Sequence, residues 1–427
     1  MVAKISGIDF ALDKIKEIDS ESPRSIRIAH VDYSWDLSSP AITGVLNFFD
    51  DSDRNTIQTR NLATTANYDL QARHGSACSA ILRTSAAINL TGSEQHVWNL
   101  APHATVYAVP LALPEAKFPS GGIKKLWSAI KDGSEFESEH LKETWEEFER
   151  DWDEGYLSAY QCAPKDTEDE EGTTEEGAKL LGLLEDFIDY QNFRLTVNAT
   201  FDRLIELCEK GELSKGDLIV CPINAKSIEC CPETATLRNF DFPILQYGSV
   251  REKIAKITCD YEVSVIVAAG NSGLDLSHGK LPLFFGTKAI QETYKNRGLA
   301  CGAVLVGADN KHSTRNSMRM VNKGKCIDSS GRYELHEAEA FQSALSVLAD
   351  HWSLSSGASM VVAACLANIQ HYRHHIGAGV LKPYEARAHI RQWAAMDPNK
   401  SIGMVNRKGY MGSPPDLEAW MKGTRIA

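Results

Sequence analysis

The sequence predicts an α/β fold with three layers, in which helices flank a mainly parallel central β-sheet. Short apolar runs typical of buried strands recur along the chain and end in turns of small or polar residues. Segments with helical periodicity alternate with these runs, as in α/β proteins. The apolar fraction of 43% and the charged fraction of 24% are those of a globular protein.

The N-terminal segment, residues 1–25, is predicted to be a short extension ahead of the main domain. Ile8, Leu12 and Ile15 recur at helical spacing, which predicts a short amphipathic helix that Pro23 ends. We expect the main domain to span residues 26–425, interrupted by an insertion at about 113–195.

Most of the negative charge lies within this insertion. Residues 132–176 contain 18 Asp and Glu against 3 Lys and Arg, a local charge of −15, whereas the whole chain carries −12. The rest of the chain is therefore +3, which gives no reason to expect nucleic-acid binding. The acidic stretch is either a solvated surface or a docking element for a regulatory protein partner.

The location of the protein is predicted from what the sequence lacks. No run is long and apolar enough to span a membrane, and the first residues lack the apolar core of a secretory signal. The ten cysteines show no CxxC spacing, which favours reduced thiols over disulfides or a zinc site. We expect a cytoplasmic protein without membrane association.

The first predicted strand, Ile26–Val31, is followed by Asp32. A carboxylate at the carboxyl end of a strand is a usual place for catalytic groups in α/β sheets, although such a residue can also cap a turn. His74 opens a run of small and apolar residues, so we expect it in the first turn of a buried helix. It is either a cap or a general base, and a base needs a carboxylate on one ring nitrogen and a nucleophile at the other.

The middle of the chain alternates between strands and helices. The predicted elements are a strand within Leu100–Leu111, a helix at Phe201–Lys210, a strand at Asp217–Asn224, a helix at Val250–Cys259, a strand from Val263, a strand at Ala303–Gly307 and a helix at Glu385–Trp393. The strand from Val263 ends in Gly270-Asn271-Ser272-Gly273. Asn271 is either a turn residue or an amide that donates a hydrogen bond into a cleft.

Near the C-terminus, Gly357-Ala358-Ser359 precedes a largely apolar run, Met360–Ile369. This pattern predicts a buried helix entered through a turn with a serine at its mouth. The serine hydroxyl would stand clear of bulky neighbours, and its N–H would lie at the positive end of the helix. An ordinary N-cap fits the same residues.

In chain order these landmarks resemble the subtilisin-like serine proteases, the subtilases. The four motifs are Asp32-Tyr-Ser-Trp-Asp36, His74-Gly-Ser-Ala-Cys-Ser-Ala80, Ala268-Ala-Gly-Asn271 and Gly357-Ala-Ser-Met-Val361. The order Asp, His, Ser separates this family from chymotrypsin-like enzymes and α/β-hydrolases. The departures from the family pattern are the bulky Tyr33-Ser34-Trp35, Ser76 and Ala358 in place of Thr, Ala363 in place of Pro, and Pro222-Ile223-Asn224 at the expected cleft edge.

The resemblance implies a subtilisin-like endopeptidase that acts on protein or peptide substrates. It assigns Asp32, His74 and Ser359 to a catalytic triad, and the Asn271 side chain with the Ser359 N–H to an oxyanion hole. It also implies a substrate-binding cleft lined by Cys221, Pro222, Ile223, Asn224, Val267, Ala268, Ala269 and Gly270. The chemistry needs no cofactor; structural calcium is common in the family, but no contiguous loop of oxygen ligands is evident. The alternative is a catalytically silent module that binds an extended peptide.

Overall fold

Seven parallel strands form the centre of the protein. The structure, a computed structural model, describes residues 8–18, 25–39, 42–62, 66–83, 99–112, 193–231, 236–272, 301–309, 329–332, 355–395, 405–406, 409–410 and 417–423. The acidic residues 132–176 lie outside these ranges. The strands follow the order β2-β3-β1-β4-β7-β8-β9, and every neighbouring pair is parallel. They are β1 (Ile26–Asp32), β2 (Leu46–Asn47), β3 (Ala104–Pro110), β4 (Leu218–Cys221), β7 (Ser264–Ala268), β8 (Val304–Asp309) and β9 (Ser329–Arg332).

Helices cover both faces of the sheet, so the predicted three-layer α/β fold is confirmed. The helices are α1 (Ile8–Ile18), α2 (Asp51–Leu62), α3 (Ala66–Leu82), α4 (193–209), α5 (Gly248–Asp260), α6 (Ser355–His375), α7 (Pro383–Ala395) and α8 (Leu417–Gly423). The long helix α6 packs against α1, α3 and five strands on one face, which we call the first face. Helices α4 and α5 pack on the opposite, second face.

Strand residues alternate between these two faces, because successive side chains in a strand point in opposite directions. In β4, Leu218 and Val220 belong to the core on the first face, whereas Ile219 and Cys221 belong to the core on the second. In β1, Ile26 and Ile28 face the first core, and Ala29 and Val31 face the second. The same period directs residues 30 and 32 to the first face, toward α3.

Several predicted elements are confirmed, including the strands at Ala104 and Val304 and the helices α5 and α7. The amphipathic N-terminal helix is also present as α1, and its buried Ile8 and Ala11 join the core on the first face. The division of the chain into an extension and a main domain stays a prediction. Among the described helices, none has both the length and the apolar character that crossing a bilayer requires.

Three predicted boundaries that bear on the site were wrong. The strand at Asp217–Asn224 ends at Cys221, because Pro222 has no N–H with which to continue the ladder. A separate antiparallel hairpin, β5 (Asn224–Cys231) and β6 (Thr236–Pro243), follows at once.

His74 lies inside α3 rather than in its first turn, and Ser359 is the fifth residue of α6 rather than part of a preceding turn. The remaining pair, β10 (Val405–Asn406) and β11 (Gly409–Tyr410), forms a separate two-stranded sheet.

Candidate active site

The candidate site lies where the connectivity of the sheet changes direction. Strand β1 pairs with β3 on one side and with β4 on the other. Ligands of open α/β sheets bind outside the carboxyl ends of strands at such a switch point. Asp32 is the last residue of β1, and it is fully buried. The end of β1 therefore places a carboxylate at the position where a site is expected.

His74 meets this carboxylate directly. Its Nδ1 lies 3.0 Å from Oδ1 and 2.8 Å from Oδ2 of Asp32. The backbone N–H of Tyr33 donates to Oδ1 at 2.7 Å. Because ionised Asp32 can only accept, Nδ1 of His74 carries the proton and Nε2 is the basic nitrogen. The His74 side chain is 27% exposed, so the pair faces solvent through the ring alone.

The electrostatics of the pair favour a charged carboxylate beside a basic imidazole. Burial alone would raise the pKa of Asp32, but the charge of His74 and hydrogen bonds from His30 and His74 lower it to about 2. Burial of the His74 ring lowers its pKa, but the Asp32 carboxylate raises it by more, so the net pKa is above its usual value. Asp32 therefore remains ionised throughout the pH range in which His74 titrates.

Helix α3 reaches Asp32 because Gly75 has no side chain. A Cβ at this position would lie 2.1 Å from the carbonyl oxygen of Ser34 and 3.1 Å from the Trp35 ring. The helix thus packs directly on the loop that follows β1, and this contact brings His74 against Asp32. Ser76, one residue further along α3, accepts the N–H of Asp36 on its hydroxyl at 2.7 Å.

Ser359 lies on α6, which packs against α3, but its hydroxyl is already engaged. It donates to the carbonyl of Ser356 at 2.7 Å rather than to the His74 ring, and the side chain is fully buried. In a helix that begins at Ser355, the N–H of the fifth residue belongs to the i→i−4 ladder. While this first turn is helical, neither the hydroxyl nor the N–H of Ser359 is available to a substrate.

The Asn271 side chain is held in one orientation by Ser355. Its Oδ1 accepts both the Ser355 N–H at 3.0 Å and the Ser355 hydroxyl at 2.8 Å. The Ser355 hydroxyl in turn accepts the N–H of Gly270 at 3.2 Å. Because Oδ1 bonds Ser355, the Nδ2 amide nitrogen points away from Ser355, and its N–H groups are the donors of this side chain. The first turn of α6 is also fixed by the Ser356 hydroxyl, which donates to the carbonyl of Pro222 at 2.6 Å.

Two of the predicted cleft residues, Pro222 and Gly270, contact the first turn of α6 through their backbone groups. Cys221, Pro222, Ile223, Val267, Ala268, Ala269 and Gly270 are buried, and Asn224 is partly exposed. The side chains of Cys221 and Val267 pack into the core on the second face, away from His74. The new hairpin adjoins the same edge, where the Asp241 N–H donates to the Ser272 hydroxyl at 2.6 Å. A substrate role for these residues stays a prediction.

One residue beside Asp32 did not figure among the predicted site residues. His30 is fully buried in β1, and its Nε2 lies 3.1 Å from Oδ2 of Asp32. Its Nδ1 lies 2.8 Å from the hydroxyl of Ser79 on α3. The signal in the sequence was a polar residue in a mainly apolar strand, two positions before Asp32 and therefore on the same face.

Among the described residues, one group of side chains is close enough to hold a metal ion. It comprises His30, Asp32 and Cys78, whose ligand atoms all lie within 4.8 Å of one another. Burial raises the pKa of the Cys78 thiol well above its usual value, which disfavours the thiolate that metals bind. The Asp32 and His30 atoms are engaged in the hydrogen bonds described above. We therefore assign no metal to this group.

Comparisons with known proteins add little to this geometry. No protein-family model matches the chain, and no curated protein matches it significantly. Among solved structures, the chain is similar to one described as a lanthipeptide protease, with 12% sequence identity and a TM-score of 0.40. That likeness covers 92% of this chain and 86% of the other. At this distance we draw nothing about activity from it.

Proposed function

We propose that the protein is a serine endopeptidase of the subtilisin-like class, which hydrolyses peptide bonds through an acyl-enzyme. The observation that carries the proposal is the Asp32–His74 pair, with its basic Nε2 and its partial exposure at the carboxyl edge of the sheet. The adjoining helix α6 carries Ser359, and Asn271 lies beside its first turn. The four motifs in the order Asp, His, Asn, Ser support the same assignment.

In the proposed mechanism, Ser359 Oγ attacks the carbonyl carbon of the scissile bond while His74 Nε2 takes its proton. Asp32 keeps the proton of His74 on Nδ1 and stabilises the imidazolium that forms. The C–N bond then breaks, and His74 returns the proton to the leaving amine. A water molecule, deprotonated by the same nitrogen, hydrolyses the acyl-enzyme and regenerates the Ser359 hydroxyl.

The negative charge of the tetrahedral intermediate needs a donor, and Asn271 is suited to this role. Ser355 occupies the oxygen of its amide, so Nδ2 can donate without first reorienting. Preorganised donors are effective because they need not rearrange as charge develops. The Ser359 N–H, the second proposed donor, joins only if the first turn of α6 opens.

The proposal therefore includes a conformational step. Ser359 must release the Ser356 carbonyl before its oxygen can approach His74 Nε2. Opening the turn around Ser359 would exchange a few backbone hydrogen bonds for bonds to water or substrate. The hydrogen bonds between Ser355 and Asn271 must persist in that step for the amide to stay oriented. Substrate bound along the edge formed by Pro222 and Gly270 would be positioned to stabilise the open turn.

A second candidate function is favoured by that same engaged serine. A catalytically silent module could bind an extended peptide by strand addition at this edge without cleaving it. In that case the buried Ser359 hydroxyl is a structural group of helix α6, and the Asp32–His74 pair stabilises the fold. The two candidates differ in whether Ser359 reacts.

A fluorophosphonate probe separates the two candidates. The Ser359 oxygen would form a bond to phosphorus, the P–F bond would break, and fluoride would leave as the proton passes to His74. We expect intact-protein mass spectrometry to show one adduct on the parent chain and none on Ser359→Ala. Ser38→Ala, which removes an exposed hydroxyl from the loop after β1, is the matched control and should label like the parent. Binding of peptides without labelling would support the silent module instead.

A further inference from the structure

A chain of hydrogen bonds continues from Asp32 away from His74 and into the core. His30 joins Asp32 Oδ2 at 3.1 Å and the Ser79 hydroxyl at 2.8 Å. Trp35 Nε1 donates to the same hydroxyl at 2.9 Å, and the Trp35 and His30 rings pack edge to face with centroids 5.2 Å apart. Every member of the chain, Trp35, Ser79, His30 and Asp32, is buried.

The direction of each hydrogen bond in this chain is fixed by the ionised carboxylate. Asp32 can only accept, so the proton of the neutral His30 ring lies on Nε2 and is donated to Oδ2. Nδ1 is then an acceptor, and the Ser79 hydroxyl donates its proton to this nitrogen. The same Ser79 oxygen accepts the N–H of Trp35.

We propose that His30 is a positioning residue, which holds Asp32 Oδ2 so that the carboxylate stays aligned with His74. The proposal rests on the proposed function, because alignment matters only if His74 acts as a base. Position 30 otherwise belongs to an apolar stripe with Ile26 and Ile28. Burying an imidazole among such residues is costly unless both nitrogens are satisfied, and here each has a partner.

Burial lowers the pKa of His30 although the hydrogen bond to Asp32 opposes this, so the ring stays neutral beside the carboxylate. The groups near it that can titrate are Asp32, His74 and Cys78. A neutral donor disperses part of the Asp32 charge. Without that donor, the carboxylate would act more strongly on His74.

The test compares two variants of almost equal length, His30→Gln and His30→Met. A glutamine can place an amide N–H near the position of Nε2, whereas methionine fills the space without a donor. We expect His30→Met to lower kcat about 10- to 100-fold, the scale found for partners that orient a functional residue. His30→Gln should stay within roughly threefold of the parent, and KM should be unchanged in both. His389→Met, on α7, is the matched control and should behave like the parent.

A pH profile adds a readout that loss of packing alone would not change. In His30→Met we expect the acidic limb of kcat/KM to move to higher pH, because the Asp32 charge then raises the pKa of His74 further. In His30→Gln and His389→Met, the acidic limb of kcat/KM should lie at the same pH as in the parent. ¹⁵N NMR of the parent should show the Nε2–H form of neutral His30, and the Nδ1–H form would contradict the hydrogen bond from His30 to Asp32.

The outcomes separate this proposal from the proposed function. A parent chain that neither labels nor hydrolyses would overturn the proposed function itself. A parent that is active, with His30→Met equal to it in kcat and in pH profile, would overturn the role of His30 alone. Equal losses in the Gln and Met variants would also overturn it, since they would assign the effect to packing. Circular dichroism and urea unfolding of each variant establish that the comparison is made on folded protein.

Discussion

At the scale of single residues, Asp32, His74 and Ser359 are proposed to act as one unit. Ser359→Ala, His74→Ala and Asp32→Asn should each lower kcat/KM roughly 10⁴-fold or more, the scale known for serine-protease triads. Double variants should lose little beyond the worst single variant, because each change disables the same step. Steady-state kinetics on a peptide substrate measure this. Multiplicative losses in the double variants would contradict the assignment of a triad.

The pH dependence follows from the state of His74. The ring must be neutral to accept a proton, and its pKa is raised above the usual value near 6.5 by Asp32. Activity should therefore fall as the pH decreases through that raised pKa, while Asp32, with a pKa of about 2, stays ionised. The rate constant of fluorophosphonate labelling against pH reports this limb directly. A limb at or below 6.5 would mean that Asp32 does not interact with His74 as described.

The proposed oxyanion donor, Asn271, gives a further prediction. Asn271→Ala should lower kcat roughly 10²–10³-fold with little change in KM, a magnitude borrowed from the equivalent asparagine of a subtilisin. Ser355→Ala should give a smaller loss of the same kind, because the amide remains but its orientation is no longer fixed. Ser38→Ala should leave both constants unchanged. An increase in KM as the main effect of Asn271→Ala would instead place the residue in ground-state binding.

Residue identity and spacing predicted part of this site. Asp32 could be placed because an apolar run ends directly before it, and a strand end determines where its last side chain lies. The bond between Asp32 and His74 could be anticipated only from the resemblance, since 42 residues separate them. The role of His30 could not, because its partner Ser79 comes from another element and no local pattern links the two.

At the scale of elements, Gly75 determines how closely α3 approaches β1. Gly75→Ala would push a methyl group against the Ser34 carbonyl, so we expect a loss of about 1–3 kcal/mol in the free energy of unfolding. Gly248→Ala, at the start of α5, meets only an ordinary contact at 3.5 Å and should change stability by less than about 1 kcal/mol. Urea unfolding midpoints compare the two. Equal midpoints would show that α3 can shift without cost.

Element types were more predictable than element boundaries. The helix that contains His74 begins at Ala66, and Gly75 permits a close contact within this helix instead of marking its start. The strand before Pro222 ends early for lack of a proline N–H, and the hairpin that follows pairs with itself rather than with the main sheet. Helix α6 begins at Ser355, because Asn271 accepts the N–H of that residue. The proline was visible in the sequence, whereas the contacts of Gly75 and Asn271 are tertiary and no local pattern contains them.

At the scale of the whole molecule, the acidic stretch is predicted to influence protein substrates. Deletion of residues 165–177 should leave fluorophosphonate labelling unchanged but alter the turnover of basic and acidic protein substrates at low salt. The predicted effect is Coulombic, so the difference should largely vanish near 1 M salt, where the Debye length is roughly 3 Å.

The matched control keeps the length of this segment and replaces its Asp and Glu residues by Asn and Gln. It should behave like the deletion, because the proposed effect depends on charge. Kinetics on one basic and one acidic substrate, at low and high salt, decide the matter. Identical turnover by all three chains at low salt would make the segment a solvated surface loop.

The position of β1 in the middle of the sheet has a consequence for synthesis on the ribosome. Its partner β3 is complete at Pro110, but the residues of β4 that pair with β1 lie 190 positions after it. At a synthesis rate of roughly 5–20 residues per second, one edge of β1 stays unpaired for about 10–40 s before β4 is made. An unpaired edge invites pairing with other chains, so nascent molecules should depend on chaperones during this interval. Ser359 emerges last of the proposed catalytic residues and after every described strand of the main sheet, so the proposed nucleophile is made only when that sheet can form.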